Sequence, residues 1–495
     1  MTFGEKNPNK INKTILLVGE TGTGKSTLIN ALVNYAMGVE WEDDVWFQIV
    51  EEEKRSQSES QTSEVIVYQI FGFEDKTLPY SLTIIDTPGY GDTRGIQHDD
   101  IISQRLIDLF LSEDGVHEIN AVGLVMRASV NRLSDRLRYI LDSVVSLFGK
   151  DIEKNIVALI THSDERTPKN ALQALEAANI KCARNEKYQP VHFLFDNCQD
   201  EDRIEDAEDL KHADEITTEG MNQFTNFLVE TVPQSLETTV GVLEEQIKLT
   251  ACIQNMQHRI ELIDLKQTEI QLTQGALKKH EEEMKNNDKF NIEVDEVYKN
   301  KEPIDGGRWG LVFYEGATCC TVCEETCHYP GCTLAWDPKH CEVMKDGRCT
   351  SCTGKCPASD HVKEKWKYVT KTRKVEKTLT DVKKKYEKNK AGGESKLSLL
   401  ETLEKNLEGL QKDKDRFLEE SFQHVVKLEQ IALKIDAVPT HDHLDFLIEK
   451  MKEKGDAEKE RKLEEIKSGM DEDEGIKAAL HDRFSKLTAA GKAKK

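Results

Sequence analysis

The sequence predicts an α/β protein. A doubly wound, mostly parallel sheet is followed by long helices or a coiled coil, which a small cysteine-rich module interrupts. Three observations carry this prediction. Over the first 235 residues, short apolar runs alternate with helix-length amphipathic segments, the pattern of parallel βαβ units. From Leu236 the apolar residues change to a 4-3 spacing, the seam of a helix that seeks a partner helix. Nine of the twelve cysteines fall between Cys319 and Cys356, too dense a cluster for a chance distribution.

The strand-like runs are residues 14–18, 65–70, 82–85, 121–125, 156–160 and 191–195, with helix-like stretches at 99–111 and 132–148. Beyond them, Leu236, Val240, Leu243 and Ile247 form one seam. Leu249, Ile253, Met256, Ile260, Ile263, Ile270, Leu277 and Met284 form another, in a shifted register. After the cysteines the spacing resumes at Val375, Leu379, Val382 and Tyr386, breaks at Ala391-Gly392-Gly393, and continues through Leu400, Leu403, Leu407, Leu410 and Phe417. Pro439 ends this run and Thr440 can cap a further short helix. The expected division is a nucleotide domain over 1–235, a long helix over 236–300 and a metal module over 301–361. Returning helices over 362–438 and a short helix with a charged, partly disordered tail over 439–495 complete it.

The charge balance narrows the partners. Lys and Arg number 68 against 91 Asp and Glu, a net charge of -23. Nucleic acid and anionic lipid are bound through basic surfaces that release counterions, so neither is expected as a general partner. No stretch reaches the roughly 18 uncharged apolar residues of a membrane-spanning helix, and the first residues have neither signal-peptide nor myristoylation character. The expectation is a cytosolic protein without a transmembrane segment. In that reducing setting, clustered cysteines point to metal before disulfides.

Gly19-Glu20-Thr21-Gly22-Thr23-Gly24-Lys25-Ser26 matches the GxxxxGK[ST] phosphate loop, directly after one strand-like run and opening the helix-like stretch that begins at Thr27. Glycines let backbone N–H groups turn inward around phosphates, and the helix N-terminus adds a favourable dipole. Lys25 is placed to reach the β- and γ-phosphates, and Ser26 to ligate Mg²⁺. Asp86-Thr87-Pro88-Gly89 follows the 82–85 run. Asp86 there can hold Mg²⁺ through water, and the Gly89 N–H can sense the γ-phosphate, as in the DxxG hinge of GTPases.

The 156–160 run leads into Thr161-His162-Ser163-Asp164, where a GTPase carries NKxD. An Asp in that place accepts both guanine N–H donors, a pairing that adenine does not offer. Thr161 and His162 stand in for Asn and Lys, with the His162 ring able to cover the base. Asn197, after the next strand, can meet the guanine carbonyl. For the first switch the sequence offers Thr62 or Ser63, and Thr62 is taken as the Mg²⁺ ligand. Tyr90 occupies the position where related enzymes orient water with Gln, so hydrolysis is expected to be slow. No catalytic residue is assigned beyond the candidate Arg94.

These motifs together carry a resemblance. GETGTGKSTLINAL, DTPGYGDTRG, AVGLVMRASVNRLSDRLRYILDSVVSLFG and ALITHSDE, in this order, resemble the immunity-associated, avirulence-induced type of P-loop G domain, with the septins as next relatives. The resemblance spans about residues 10–235, and the family's membrane-anchoring C-terminal segments have no match here. It implies binding of GTP or GDP with Mg²⁺, slow hydrolysis, and self-association of G domains under nucleotide control.

Cys320, Cys323, Cys327 and Cys332, then Cys349, Cys352, Cys356 and His361, supply eight donors with the spacing of tetrahedral zinc. Two structural zinc ions are expected, since full thiolate coordination leaves no open position. Spacing does not divide the donors between the sites, and Cys319, Cys341, His328 and His340 are spares. The segment has few large apolar residues, so metal binding, on the order of 10 kcal/mol for a structural site, would supply its folding energy. With seam-bearing helices on both sides, the module is expected near the tip of an antiparallel coiled coil.

Three functions share this phosphate loop. The first is a GTP-binding switch and slow GTPase, dimeric or oligomeric when loaded, whose zinc-tipped arm engages a protein partner. The second is a scaffold whose nucleotide is structural. The third is an ATPase with a zinc-hook coiled coil, which would need a second acidic motif after a late strand. Turnover and nucleotide-dependent assembly separate them.

Overall fold

A computed structural model describes residues 1–5, 10–43, 45–50, 65–71, 78–89, 105–106, 108–110, 112, 115–130, 133–198, 207–279, 291–304, 308–309, 313–314, 316–329, 337–341, 343–378, 399–435 and 438–470. The chain forms two compact units. One holds Met1–Leu243, Leu428–His441 and the stretch from Ile466; the other holds Glu244–Lys427 and Asp442–Glu465. Among the described residues no helix is long and apolar enough to cross a membrane.

The first unit is built on a sheet formed by β1 (Thr2–Gly4), β2 (Asn12–Gly19), β3 (Ile66–Phe71), β4 (Ser81–Asp86), β6 (Ala121–Arg127), β7 (Ile156–Thr161) and β8 (His192–Leu194). The short β5 (Glu118–Ile119) pairs instead with β9 (Gln234–Ser235). The sheet order is β1-β3-β4-β2-β6-β7-β8. Only the β3–β4 pair is antiparallel, so the sheet is mostly parallel, and all six expected runs are strands. β2, β4, β6 and β7 are apolar nearly throughout and buried, as strands covered on both faces must be. The edge strand β1 lies outside those expectations; three residues give no periodicity to read.

Helices α1 (Lys25–Met37), α2 (Asp135–Val145), α3 (Lys169–Ala177) and α4 (Ala207–Glu230) accompany the sheet. Leu28 and Leu32 of α1 and Phe224 of α4 pack with Ile15, Leu17 and Phe195 in the core. α1 ends at Gly38, whose left-handed conformation lets its N–H cap the last turn. α2 begins where Ser134 accepts the Leu137 N–H at 3.1 Å.

A late segment of the chain completes this unit. Ala432 bridges to Gly149 in antiparallel fashion, and the Leu433 N–H donates to the Phe148 carbonyl at 2.8 Å. Lys150 Nζ donates to the Glu429 carbonyl at 2.7 Å. Lys434 Nζ reaches Asp142 at 2.7 Å and the Ala178 carbonyl at 3.0 Å, with both charged side chains nearly buried.

In the second unit, α5 (Glu237–Lys279) leads to a long antiparallel ribbon of β10 (Asn291–Pro303) and β18 (Trp366–Thr378). Between its strands lie β11 (Arg308–Trp309) paired with β12 (Phe313–Tyr314), and a three-stranded sheet of β14 (Glu325–His328), β13 (Ala317–Cys320) and β17 (His361–Glu364). β15 (Met344–Lys345) pairs with β16 (Arg348–Cys349). Helices α6 (Leu399–Ile431), α7 (Val438–Lys454) and α8 (Ala457–Ser468) follow. Glu245 meets His424 and Lys427, and Cys252 lies in the field of Glu420. Rising positions on α5 thus meet falling ones on α6, so these stretches run antiparallel.

Three expectations are corrected. Residues 291–300, expected in the long helix, lie in the strand β10. Helix α7 already begins at Val438, so Thr440 lies inside it and does not cap it. Val375 was expected to reopen a helical seam, but it pairs with Val294 in the ribbon. The stretch from Trp366 to Thr372 alternates aromatic or hydroxyl residues with others, a period of two that suits a strand. Leu379, Val382 and Tyr386 lie outside the described residues.

Candidate nucleotide site and cysteine-rich module

The sheet register brings the candidate site together. Leu17 of β2 lies beside Asp86 of β4, and Gly19 beside Val125 of β6. The chain leaves these strands at their carboxyl ends, where open α/β sheets bind ligands. The phosphate loop needs its glycines here: Gly22 and Gly24 hold φ of 81° and 82°, a region costly for other residues. Gly89 has no room for a side chain, since a Cβ there would stand 2.3 Å from Thr21 Oγ1 and 2.7 Å from its Cα. The DxxG glycine therefore lies directly against the loop.

Lys25 is buried and folds back on the loop, donating to the Gly19 carbonyl at 2.9 Å and that of Glu20 at 3.2 Å. Burial brings its pKa down to about 8, against the opposing pull of Asp86 and Glu20. Asp86 is fully buried and close enough to act on that ammonium. Ser26 and Thr27, half-buried, open α1. A loop with glycines at 19, 22 and 24, a buried lysine and a buried carboxylate beside it fits a phosphate–Mg²⁺ group.

The base-reading candidates meet the same loop. Thr161 Oγ1 donates to the Thr23 carbonyl at 2.7 Å, and a Cβ on Gly24 would lie 3.6 Å from the His162 ring. His162, at φ 53°, bonds Thr161 through Nδ1 at 3.2 Å. Its pKa is lowered by burial and by Arg127, with Asp196 opposing. Asp164 is exposed and accepts the Arg166 N–H at 3.2 Å, leaving carboxylate capacity toward solvent. The neighbouring loop joins through Ser163, whose N–H donates to the Phe195 carbonyl at 3.1 Å. There Thr217 Oγ1 donates to Asn197 Oδ1 at 3.4 Å and accepts the Asp196 N–H at 3.0 Å. Asn197 and Asp164 thus sit on two adjacent loops.

Arg127 was not anticipated. It ends β6 and donates from Nε to the Gly22 carbonyl at 2.8 Å, bracing the phosphate loop. Its signal was a charged residue closing an apolar strand, at the sheet end where such sites form. Thr62, Ser63, Tyr90 and Arg94 lie outside the described residues.

The comparisons with known proteins bear on this unit. The AIG1 family matches residues 13–244. That segment is similar to the AIG1 family. Immune-associated nucleotide-binding protein 4 of Arabidopsis thaliana is 30% identical over 159 residues, which cover 32% of this chain and 41% of the relative. Septin-5 of Homo sapiens is 27% identical over 225 residues, covering 42% and 56%. The chain spans about half the length of these curated relatives. Among solved structures, Toc33 from Arabidopsis thaliana in complex with GDP and Mg²⁺ aligns at 16% identity and a TM-score of 0.31, covering 44% of this chain and 84% of that one. So loose an overlap decides nothing about ligand or assembly. The matched segment contains every nucleotide-site candidate named above and ends well before the clustered cysteines.

In the second unit the cysteines converge into two groups of metal-capable donors. Cys320, Cys323, Cys352 and Cys356 form one, and Cys327, Cys349, Cys352 and His361 the other; within each, the ligand atoms lie within 4.8 Å of one another. All but Cys323, which is half-buried, are buried. Tight turns aim backbone N–H groups at the sulfurs: Cys323 to Cys320 Sγ at 3.3 Å, Cys352 to Cys349 Sγ at 3.3 Å and Cys356 to Cys352 Sγ at 3.2 Å. Burial holds the thiols of Cys320, Cys323 and Cys356 up at about 12, so a bound cation is what would make them thiolates near neutrality.

Of the remaining donors, Cys332 lies outside the described residues. His328 Nδ1 stands 3.3 Å from Cys341 Sγ, and Cys319 Sγ donates to the Trp366 carbonyl at 3.7 Å. His340, in a short turn, is exposed. None of these four belongs to either group.

Proposed function

We propose that this chain is a cytosolic GTP-binding protein and slow GTPase, with the AIG1-like segment as its switch. Gly19 to Thr27 would cradle the phosphates of GTP or GDP. Ser26, Asp86 and Thr62 would hold Mg²⁺, which shields phosphate charge when bound. Gly89 would sense the γ-phosphate, and Thr161, His162, Asp164 and Asn197 would enclose the guanine. Nucleotide-loaded domains would self-associate. An arm of antiparallel helices, stabilised by structural zinc on the cysteine-rich module, would recruit a protein partner or transmit the loaded state to it.

The observation that carries the reading is the bond from Thr161 Oγ1 to the Thr23 carbonyl at 2.7 Å. It ties the strand end bearing Asp164 to the loop bearing Lys25, so one nucleotide can engage both. The family match and the nucleotide-binding relative support the same assignment. Slow turnover follows from Tyr90 at the water-orienting position.

The test is displacement of a fluorescent guanine nucleotide by unlabelled GTP or ATP, repeated with Asp164→Asn and Lys25→Ala. GTP should displace the probe and ATP should not. Asp164→Asn should weaken binding at least tenfold, and Lys25→Ala should abolish it. Equal displacement by ATP, unchanged in the Asp164 variant, would refute the guanine assignment. Light scattering in GDP and in a non-hydrolysable GTP analogue then reads assembly.

A further inference from the structure

Among the described residues, the two metal-capable groups contain seven different residues, because Cys352 belongs to both. Two tetrahedral ions need eight coordination positions. Seven donors fill eight positions when one sulfur binds both ions. We infer that the cysteine-rich module holds a binuclear zinc cluster in which the thiolate of Cys352 bridges the two metals. This deepens the structural-zinc reading above and rests on it.

The geometry around each position supports the assignment. With Zn–S bonds of about 2.3 Å, two sulfurs on one tetrahedral ion stand about 3.8 Å apart. Cys323 Sγ and Cys356 Sγ are 3.6 Å apart, far beyond disulfide bonding, and the described cysteines are all free thiols. Gly354, inside the second turn, has no room for a Cβ, which would stand 2.8 Å from Cys356 Sγ and 3.2 Å from Cys323 Sγ. The Gly354 N–H donates to Cys323 Sγ at 3.3 Å. The turn after Cys352 is thereby wrapped around the first metal position.

At the second position, His361 Nδ1 lies 3.0 Å from the Pro357 carbonyl. That contact fixes the proton on Nδ1 and leaves Nε2 with the lone pair, the arrangement in which histidine ligates metals. Nε2 is buried among the donor sulfurs of Cys327, Cys349 and Cys352, where a metal bond would satisfy it. Cys349 Sγ is oriented by the N–H groups of Ser351 and Cys352, both at 3.3 Å. On loading, six thiols release six protons, and two Zn²⁺ with six thiolates and one neutral imidazole carry a charge of 4 − 6 = −2.

The bridge makes a prediction that separate sites do not. Full-length protein loaded with Zn²⁺ should bind two ions per chain by elemental analysis. Cys352→Ser should lose both ions, Cys356→Ser should retain one, and Cys332→Ser should retain two. Co²⁺ gives a readout that needs no variant. In a thiolate-bridged pair the two spins couple, so the EPR signal per cobalt should fall by half or more between one and two equivalents. Two ions with constant EPR intensity per cobalt, or loss of only one ion in Cys352→Ser together with loss of one in Cys332→Ser, would establish separate mononuclear sites and overturn the bridge. A chain that binds no zinc and whose cysteines resist thiol titration would instead overturn the zinc reading itself.

Discussion

Arg259 of α5 and Glu325 of β14 form an ion pair with each side chain only 5% exposed. Glu325 also accepts the Thr353 N–H at 2.9 Å and the Thr353 hydroxyl at 2.7 Å, and Thr353 follows Cys352 directly. One carboxylate thus links the long helix to the turn at the centre of the cysteine cluster. Arg259→Met removes the cation and leaves a buried carboxylate without its main partner, which costs about 3–5 kcal/mol. Denaturant unfolding of the metal-loaded protein should record that loss as an earlier second-unit transition. Arg259→Met combined with Glu325→Gln should recover part of it. A loss under about 1 kcal/mol would mean that water reaches the pair and screens it.

Lys434 and Asp142 make the corresponding contact in the first unit, 292 positions apart in sequence. Asp142 lies on α2, and Lys434 lies beyond α6. Lys434→Met removes the nearly buried cation that faces Asp142, so it should weaken the attachment of Leu428–His441 by about 3 kcal/mol. The measurement is limited proteolysis of the folded protein. Cleavage near residues 432–436 should accelerate at least tenfold in Lys434→Met while cutting within α1 stays unchanged. Equal cleavage rates would show that backbone bonds such as Leu433 to Phe148 hold the segment alone.

The parts that were legible in sequence share a cause. Six of the seven strands in the first unit's main sheet and the phosphate loop follow from local patterning: buried sheet strands are apolar runs, and a glycine-rich turn of fixed spacing has few other uses. Long-range pairings were not legible. β10 and β18 contain many charges, and each becomes a strand because the cysteine-rich module between them brings them side by side. Asn291–Pro303 carries no clear apolar period, and in Trp366–Thr378 the period of two is carried by aromatic and hydroxyl residues rather than by an apolar run. The same limit hid the docking of Lys434, where nothing near that residue marks Asp142 as its partner. Seven of the eight expected metal donors are the residues that converge in the two groups, and their spacing had marked them. That Cys352 serves both groups is a property of the folded turns, since its spacing to Cys349 and to Cys356 fits either group.

The contact between Gly89 and Thr21 yields a test of the nucleotide site that leaves its chemistry intact. Gly89→Ala introduces a methyl 2.3 Å from Thr21 Oγ1 and 2.8 Å from the Thr21 N–H nitrogen. The backbone atoms there are part of the phosphate loop and have little freedom to withdraw. The variant should bind guanine nucleotide at least tenfold more weakly, with its thermal unfolding lowered by only a few degrees. Isothermal titration with GDP and with a non-hydrolysable GTP analogue provides the comparison. Unchanged affinity for both would mean that the loop moves aside without loss and that the close approach has no functional weight.

Glu245 gives the contact between α5 and α6 a pH dependence. Burial alone would raise its pKa, but the hydrogen bond and charge of His424 at 2.7 Å, with Lys248 and Lys427, outweigh burial and bring it down to about 2 from an ordinary 4.5. A carboxylate with a depressed folded-state pKa binds protons more readily in the unfolded chain. Its stabilisation is therefore complete above about pH 4.5 and is lost as the pH falls toward 2. Comparing wild type with Glu245→Gln cancels the acid response of every other group. In urea unfolding followed by helix dichroism, wild type should be the more stable protein at pH 5.5, and the gap should close steadily between pH 4.5 and 2.5. A gap that stays constant through that window would mean that the Glu245 carboxylate and its three cationic neighbours do not hold α5 and α6 together.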